Sequence, residues 1–185
     1  MSIFKNKFSA FYFLLIIIFT FSIVSCRSSK ETTKSTQTEK TNSSASKKIQ
    51  SKYAKLLGVS DAKIDNTNLY IFIDDWYGTP YKYGGKNKKG IDCSNFTSTL
   101  YNIVYKKPLT GSSSGIFDQC SIISKSNLME GDLVFFKIDS DDISHIGVYL
   151  QNNKFVHATT KKGVMIDDLD EPYYKKYFYK AGRIK

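Results

Sequence analysis

The pattern of apolar and polar positions divides this chain into three stretches with different prospects. Phe8 to Val24 is a mostly apolar run without a charge. Residues 27–52 are polar, with Ala45 and Ile49 as the apolar side chains among 12 serines and threonines. From Tyr53 amphipathic patterns begin. Leu69, Phe72, Ile73, Trp76 and Tyr77 fall on one helical stripe. Asn66 or Asn68 is placed to cap its start, and Gly78 stands where a helix ends. A second helix is expected from Cys93 to about Tyr105, with Phe96, Leu100, Ile103 and Val104 on one side and Asp92 as N-cap.

The C-terminal half carries strand signals instead. Residues 133–136, 146–150, 155–158 and 163–166 are short β-rich runs, and 177–184 is a further candidate. Turn-prone Gln151-Asn152-Asn153 and Thr160-Lys161-Lys162-Gly163 separate them. Helices first and an antiparallel meander after predict an α+β fold. The chain shows no internal repeat.

Alternation fixes more than the strands. Ile146, Val148 and Leu150 share one face, so His145, Gly147 and Tyr149 share the other. Val156 and Ala158 meet the first set only if the hairpin loop is odd, which selects residues 151–153. That register pairs Gly147 with His157 and makes His145 and His157 same-face diagonal neighbours, about 7–8 Å apart at Cα. Gly147 then leaves room for an imidazole to lean across.

Composition narrows the function. Three cysteines are too few for a disulfide scaffold. The formal charge of +10 invites a nucleic-acid reading, but +2 lies in residues 1–25, +5 in 27–52 and +3 in 53–185. A nucleic-acid footprint would concentrate on the folded part, so no nucleic-acid partner is expected. Lys5 and Lys7, the apolar run and the small residues before Cys26 read as an export signal over 1–25. A transmembrane anchor is the competing reading for a run of this length. Ile23-Val24-Ser25-Cys26 resembles a bacterial lipobox, in which Cys26 would be acylated. Residues 26–52 would then be the lipidated cysteine and a disordered tether, reaching about 25–30 Å as a flexible coil. Residues 53–185 form the folded domain.

Within that domain the chemistry-bearing residues are few. Cys93 opens a helix, where the dipole and unpaired amides favour a thiolate. The bland alternative is a small buried side chain. Two facing histidines supply a base and a group to orient it. Cys93, His145 and His157 therefore suit a thiol triad, and a zinc site is the rival arrangement. Cys120 has no basic partner; it reads as a buried small residue, with an oxidative pairing to Cys93 left open.

Five segments resemble the NlpC/P60 cysteine peptidases in order and spacing. They are Trp76 to Gly85, Gly90-Ile91-Asp92-Cys93-Ser94, Gly131 to Phe136, Ser144 to Tyr149, and Phe155-Val156-His157-Ala158. The resemblance covers about residues 66–185. With the lipobox it looks like the single-domain lipoprotein branch, which includes murein endopeptidases. It implies a papain-like fold, Cys93 as nucleophile, His145 as base and His157 as its orienter. It further implies Tyr81 near the oxyanion and Asp92 and Ser94 as substrate contacts. No cofactor or metal is implied. The implied substrates are peptidoglycan stem peptides, cut at D-γ-glutamyl–diaminopimelate bonds or at D,D cross-links. A non-catalytic or metal-binding wall-associated lipoprotein is the alternative. The expected protein is a monomer, lipid-anchored in an outer membrane and facing the periplasm.

Overall fold

The computed structural model describes residues 33–185, with side chains from Ser44 onward. The export signal over 1–25 and the lipidation site Cys26 lie outside the described residues. Two compact units divide between Lys40 and Thr41. The described part of the first is the opening of one helix; the second, Thr41–Lys185, holds everything that follows.

The first helix, α1, spans Thr33–Leu57 and corrects the expectation of a disordered tether ending at residue 52. Composition argued for disorder because residues 27–52 alone lack apolar surface. The apolar stripe continues across that boundary, however. Tyr53, Ala54 and Leu57 are buried, and Ile49 packs against the same core. Docking of this stripe, rather than intrinsic propensity, orders the preceding turns. Gln50 donates to the Ile64 carbonyl at 3.2 Å, and Asn152 caps the Leu57 carbonyl at 2.8 Å.

Helix α2, Thr67–Trp76, follows the predicted stripe. Asn66 Oδ1 accepts from the Leu69 amide, and Gly78 adopts φ +75° just past the end. A two-residue hairpin, β1 (Lys86–Asn87) and β2 (Gly90–Ile91), delivers the chain to α3, Cys93–Leu100. A π-helical turn, Tyr101–Tyr105, replaces the last third of the expected second helix. The short α4, Ser113–Phe117, comes next.

Six strands then build one antiparallel sheet. They are β3 (Cys120–Ile123), β4 (Leu133–Phe136), β5 (His145–Tyr149), β6 (Lys154–Thr159), β7 (Gly163–Asp168) and β8 (Phe178–Ile184), in the order β3-β8-β4-β5-β6-β7. A short helix, α5 (Pro172–Tyr177), precedes β8. Val148 pairs with Val156, and Leu150 donates to the Lys154 carbonyl, which is the register of the odd loop. Asn152 and Asn153 turn the loop with positive φ.

The sheet separates two apolar layers. Leu133, Phe135, Ile146, Val148, Val156 and Val164 join the core that includes α1, α2 and α3. Val134, Phe136, Tyr149 and Phe155 face the other way, against Leu169 and Tyr174 of the α5 side. Arg183 of β8 holds both oxygens of Asp132 at 2.7 Å and so ties the sheet to the loop before β4.

Candidate active site

Cys93 is the first residue of α3, placed by the N-cap at Asp92, whose Oδ1 accepts from the Asn95 amide at 2.7 Å. The thiol is buried, with Ser113 Oγ 3.6 Å from its sulfur. The backbone amides of Ile146 and Ser94 also point at the sulfur. Ile146 follows His145, so the thiol meets the sheet at the N-terminal end of β5. Among the described residues no hydrogen bond joins Cys93 Sγ to either imidazole. Such bonds are often long before substrate arrives.

Burial raises the Cys93 pKa, and the Asp92 carboxylate adds to this; Ser113 and the two amides pull it down without prevailing. The expectation of a preformed thiolate is corrected accordingly. Desolvation at this position outweighs the start of a short helix.

The histidines form a chain. His145 stands opposite Phe136 on the α5 face of the sheet, half-buried at the edge of a cavity. Its Nε2 lies 2.6 Å from Nδ1 of His157, which is 0% exposed. His157 Nε2 lies 2.9 Å from Asp167 Oδ2, and the Tyr174 hydroxyl donates to the same oxygen at 2.6 Å. Gly147 opens space as expected, but Phe155 takes it: a Cβ there would lie 2.6 Å from Phe155 Cδ2. The ring of Phe155 packs on His157 with centroids 4.5 Å apart.

This geometry sets the protons. Burial would raise the Asp167 carboxyl, but hydrogen bonds from His157 and Tyr174 outweigh it and hold the group below the usual carboxylate range. Asp167 is then an acceptor only, so His157 carries its proton on Nε2 and accepts at Nδ1. His145 must donate from Nε2, which leaves Nδ1 as an unprotonated base. Burial keeps both imidazoles neutral, and for His145 the neighbouring His157 ring lowers the pKa further. Three of the four ring nitrogens are thus committed to the chain, which leaves the His145 Nδ1 lone pair and the thiol free. A zinc ion taking His157 as a ligand as well would have to break that chain.

Comparison with known proteins agrees with this architecture. A profile described as NlpC/P60 family matches residues 78–183. The chain belongs to the NlpC/P60 family. It is 42% identical over 110 residues to the "Murein DD-endopeptidase MepS/Murein LD-carboxypeptidase" of Escherichia coli, covering 60% of this chain and 58% of that one. It is also 42% identical over 116 residues to the "Probable endopeptidase NlpC" of Escherichia coli, covering 60% and 73%. Among solved structures, an NlpC/P60 family protein from Bacillus cereus superposes with a TM-score of 0.58 at 27% identity, over 63% of this chain and 39% of that chain. The aligned part therefore spans little more than half of the first of these relatives. The fold is the α+β, papain-like fold of NlpC/P60 domains.

The remaining site residues of this NlpC/P60 domain divide by what holds them. Tyr81 lines the cavity beside His145; burial and the nearby Cys93 thiol raise its pKa. Asp92 is engaged by the fold as the N-cap read from the sequence. It is 7% exposed and accepts from Ser94 Oγ, the Asn95 amide, the Gly84 amide and Asn95 Nδ2. Those bonds engage both oxygens, so Asp92 caps α3 and holds the Gly84 loop. Ser94 donates to Asp92 and lies at the rim of α3. Cys120 is buried and bonded to the Ile116 carbonyl at 3.4 Å, with burial pushing its pKa to about 11. Both described cysteines are free thiols.

Sequence reasoning missed Asp167, Tyr174 and Ser113. Met165 pairs with His157, so Asp167 is its diagonal same-face neighbour. Extending the odd-loop parity across Thr160–Lys162 would have found it. Ser113 lies in a run of three serines, where nothing singles it out.

Proposed function

We infer that this NlpC/P60 domain is a cysteine peptidase that hydrolyses amide bonds in peptidoglycan stem peptides. The observation that carries the reading is the Asp167–His157–His145 chain, which leaves His145 Nδ1 as the basic nitrogen at the end of β5 where Cys93 arrives. Identity of 42% to a protein named as a murein DD-endopeptidase supports the substrate class.

The reaction begins with two neutral groups. Cys93 Sγ attacks the amide carbonyl carbon while its proton passes to His145 Nδ1. The developing oxyanion meets the Cys93 amide and the Tyr81 hydroxyl. His157 spreads the positive charge of the imidazolium, steadied by Asp167. His145 returns the proton to the leaving nitrogen, the C–N bond breaks, and a thioester remains. Water gives a proton to His145, attacks the thioester, and frees the acid and the thiol.

The segment before the domain is read as a lipid anchor on Cys26, holding a monomer at an outer membrane and facing the periplasm. Metabolic palmitate labelling lost in Cys26→Ser tests the anchor. Mass spectrometry of muropeptides released from purified sacculi tests the chemistry. Wild-type protein yields new peptide fragments and Cys93→Ala yields none; fragments from Cys93→Ala would overturn the mechanism.

A further inference from the structure

Asp167 lies on β7, an edge strand of the sheet, and its side chain keeps 13% of its surface exposed. Among the described residues its Oδ1 accepts no hydrogen bond. Both bonds go to Oδ2, from His157 Nε2 at 2.9 Å and from the Tyr174 hydroxyl at 2.6 Å. The positive charge of Lys162, on the β6–β7 turn, acts on the same carboxylate. An edge carboxylate seated by one oxygen can turn about its side-chain bonds toward water or that ammonium. His157 would then lose the partner that assigns its proton.

Tyr174 opposes that turn. It belongs to α5, whose end is pinned where Lys137 donates its amide to the Tyr177 carbonyl at 3.0 Å and the Tyr177 hydroxyl donates to Asp139 Oδ1 at 2.7 Å. The Tyr174 ring is buried and meets Phe136, Phe155 and His157 edge-on, with centroids 5.7, 5.0 and 5.3 Å away. Contacts on three rings give the phenol one seat, with its hydroxyl aimed at Asp167. Burial and the Asp167 carboxylate hold its pKa above the ordinary 10.0, so the group remains a donor at neutral pH.

The hydroxyl has one proton and two neighbours. Asp167 Oδ2 is at 2.6 Å, whereas His157 Nε2 is at 3.5 Å, too long for a good bond. Tyr174 therefore holds the carboxylate and is a poor partner for a His157 protonated on Nδ1, whose bare Nε2 would face that carboxylate lone pair to lone pair. We propose that Tyr174 is a positioning residue: its hydroxyl locks Asp167 against His157 Nε2, so that His157 keeps one tautomer and His145 Nδ1 stays free to act as the base. The effect on rate rests on the hydrolase reading above; the effect on the tautomer does not.

Tyr174→Phe tests it by removing the hydroxyl and keeping the ring among its neighbours. The chain has two histidines, so nitrogen NMR of the full-length protein with isotope-labelled histidine reads each ring without crowding. The wild type shows His157 protonated on Nε2 alone, and Tyr174→Phe shows both tautomers. With muropeptides as substrate, kcat falls about tenfold, in the range lost with such outer partners, and KM is unchanged. Asp167→Ala/Tyr174→Phe is no slower than Asp167→Ala, because the hydroxyl acts only through the carboxylate. Tyr179→Phe, which strips a hydroxyl from an exposed ring, matches the wild type. An unchanged tautomer or an unchanged kcat in Tyr174→Phe, or losses that add in the double variant, would overturn the positioning role. A wild type that cleaves no muropeptide removes the hydrolase reading, and the tautomer alone then decides for or against Tyr174.

Discussion

Asp167 Oδ2 lies 2.9 Å from His157 Nε2, on the far side of that ring from His145. The carboxylate touches no reacting atom, yet it decides which nitrogen of each imidazole carries a proton. It acts through two rings, as a positioning residue at the end of a hydrogen-bonded chain.

Asp167→Ala removes that instruction and lets His157 adopt either tautomer. Loss of such an outer partner typically costs about 10- to 100-fold in activity, and the loss falls on kcat, with KM little changed. Asp167→Asn keeps the shape but can turn its NH2 toward His157, so the tautomer is no longer fixed and the rate is not restored. The carboxylate also raises the pKa of both imidazoles, so in Asp167→Ala the acid limb of the pH profile moves further down. An unchanged kcat and pH profile in Asp167→Ala would refute the positioning role.

Thiol reactivity separates a neutral pair from a preformed ion pair. Burial holds the Cys93 pKa above its ordinary 9.0. Alkylation of the free enzyme by iodoacetamide is therefore slow at pH 7 and rises with a midpoint above 9. Ser113 lowers the thiol pKa through the 3.6 Å contact, so Ser113→Ala moves the midpoint up. A wild-type midpoint below 7 would show a thiolate stabilised in advance.

What the sequence made legible follows from parity and spacing. The alternation of Ile146, Val148, Val156 and Ala158 determined the β5–β6 register, and the register brought His145 to His157. The stripe appears as read from Leu69 to Trp76, with Asn66 rather than Asn68 as its cap, whereas Tyr77, read as its last residue, lies past the helix and is exposed. Two kinds of feature escaped. Partners chosen by tertiary packing leave no local pattern, as with Ser113, which only the placement of α4 brings to Cys93. Edge elements bury too little to show a period: in β3, Ser121 and Ile122 are exposed while Cys120 is buried. The thiol's protonation was misjudged for a related reason. Helix position can be read locally, whereas burial is a property of the whole core.

The same imidazoles predict how stability responds to acid. Both are held below their ordinary 6.5, chiefly by burial. Below pH 6.5 the unfolded chain takes up these protons and the folded one does not, so stability falls as pH drops from 6.5 toward the folded values. Each group contributes at most about 1.4 kcal/mol per pH unit in that window. The carboxyls of Asp167 and Asp168, held below 3.8, add their losses at lower pH. Chemical denaturation at pH 7, 6 and 5 shows the decline in the wild type and a shallower one in His157→Gln. Equal slopes would mean that His157 is not held neutral.

Gly163 links the two sides of the cavity. Its φ is +70°, and a Cβ would lie 2.1 Å from the Thr79 carbonyl oxygen, which also accepts the Val164 amide at 2.9 Å. Gly163→Ala meets a left-handed backbone cost of about 1–2 kcal/mol and forces Thr79 away, with Tyr81 two residues further along. The expected variant melts lower and loses kcat beyond what its folded fraction explains. Wild-type stability and rate would show that the close approach is not required.

Composition alone put the boundary at Tyr53, but Tyr53, Ala54 and Leu57 form a buried stripe on α1, with Ile49 half-buried against the same core. Burying Tyr53 or Leu57 contributes about 2 kcal/mol each. A protein starting at Ser44 retains the stripe and the Gln50–Ile64 bond, and it melts like the longer chain. One starting at Tyr53 loses Ile49 and the Gln50–Ile64 bond, keeps Tyr53, Ala54 and Leu57 on a helix of five, too short to hold itself, and is destabilised. One starting at Gly58 loses the stripe and also strands Asn152, whose cap on Leu57 is gone. Thermal melts of the three should therefore fall in that order. If the Gly58 protein melted with the Ser44 protein, α1 would be an ornament on the domain rather than part of its core.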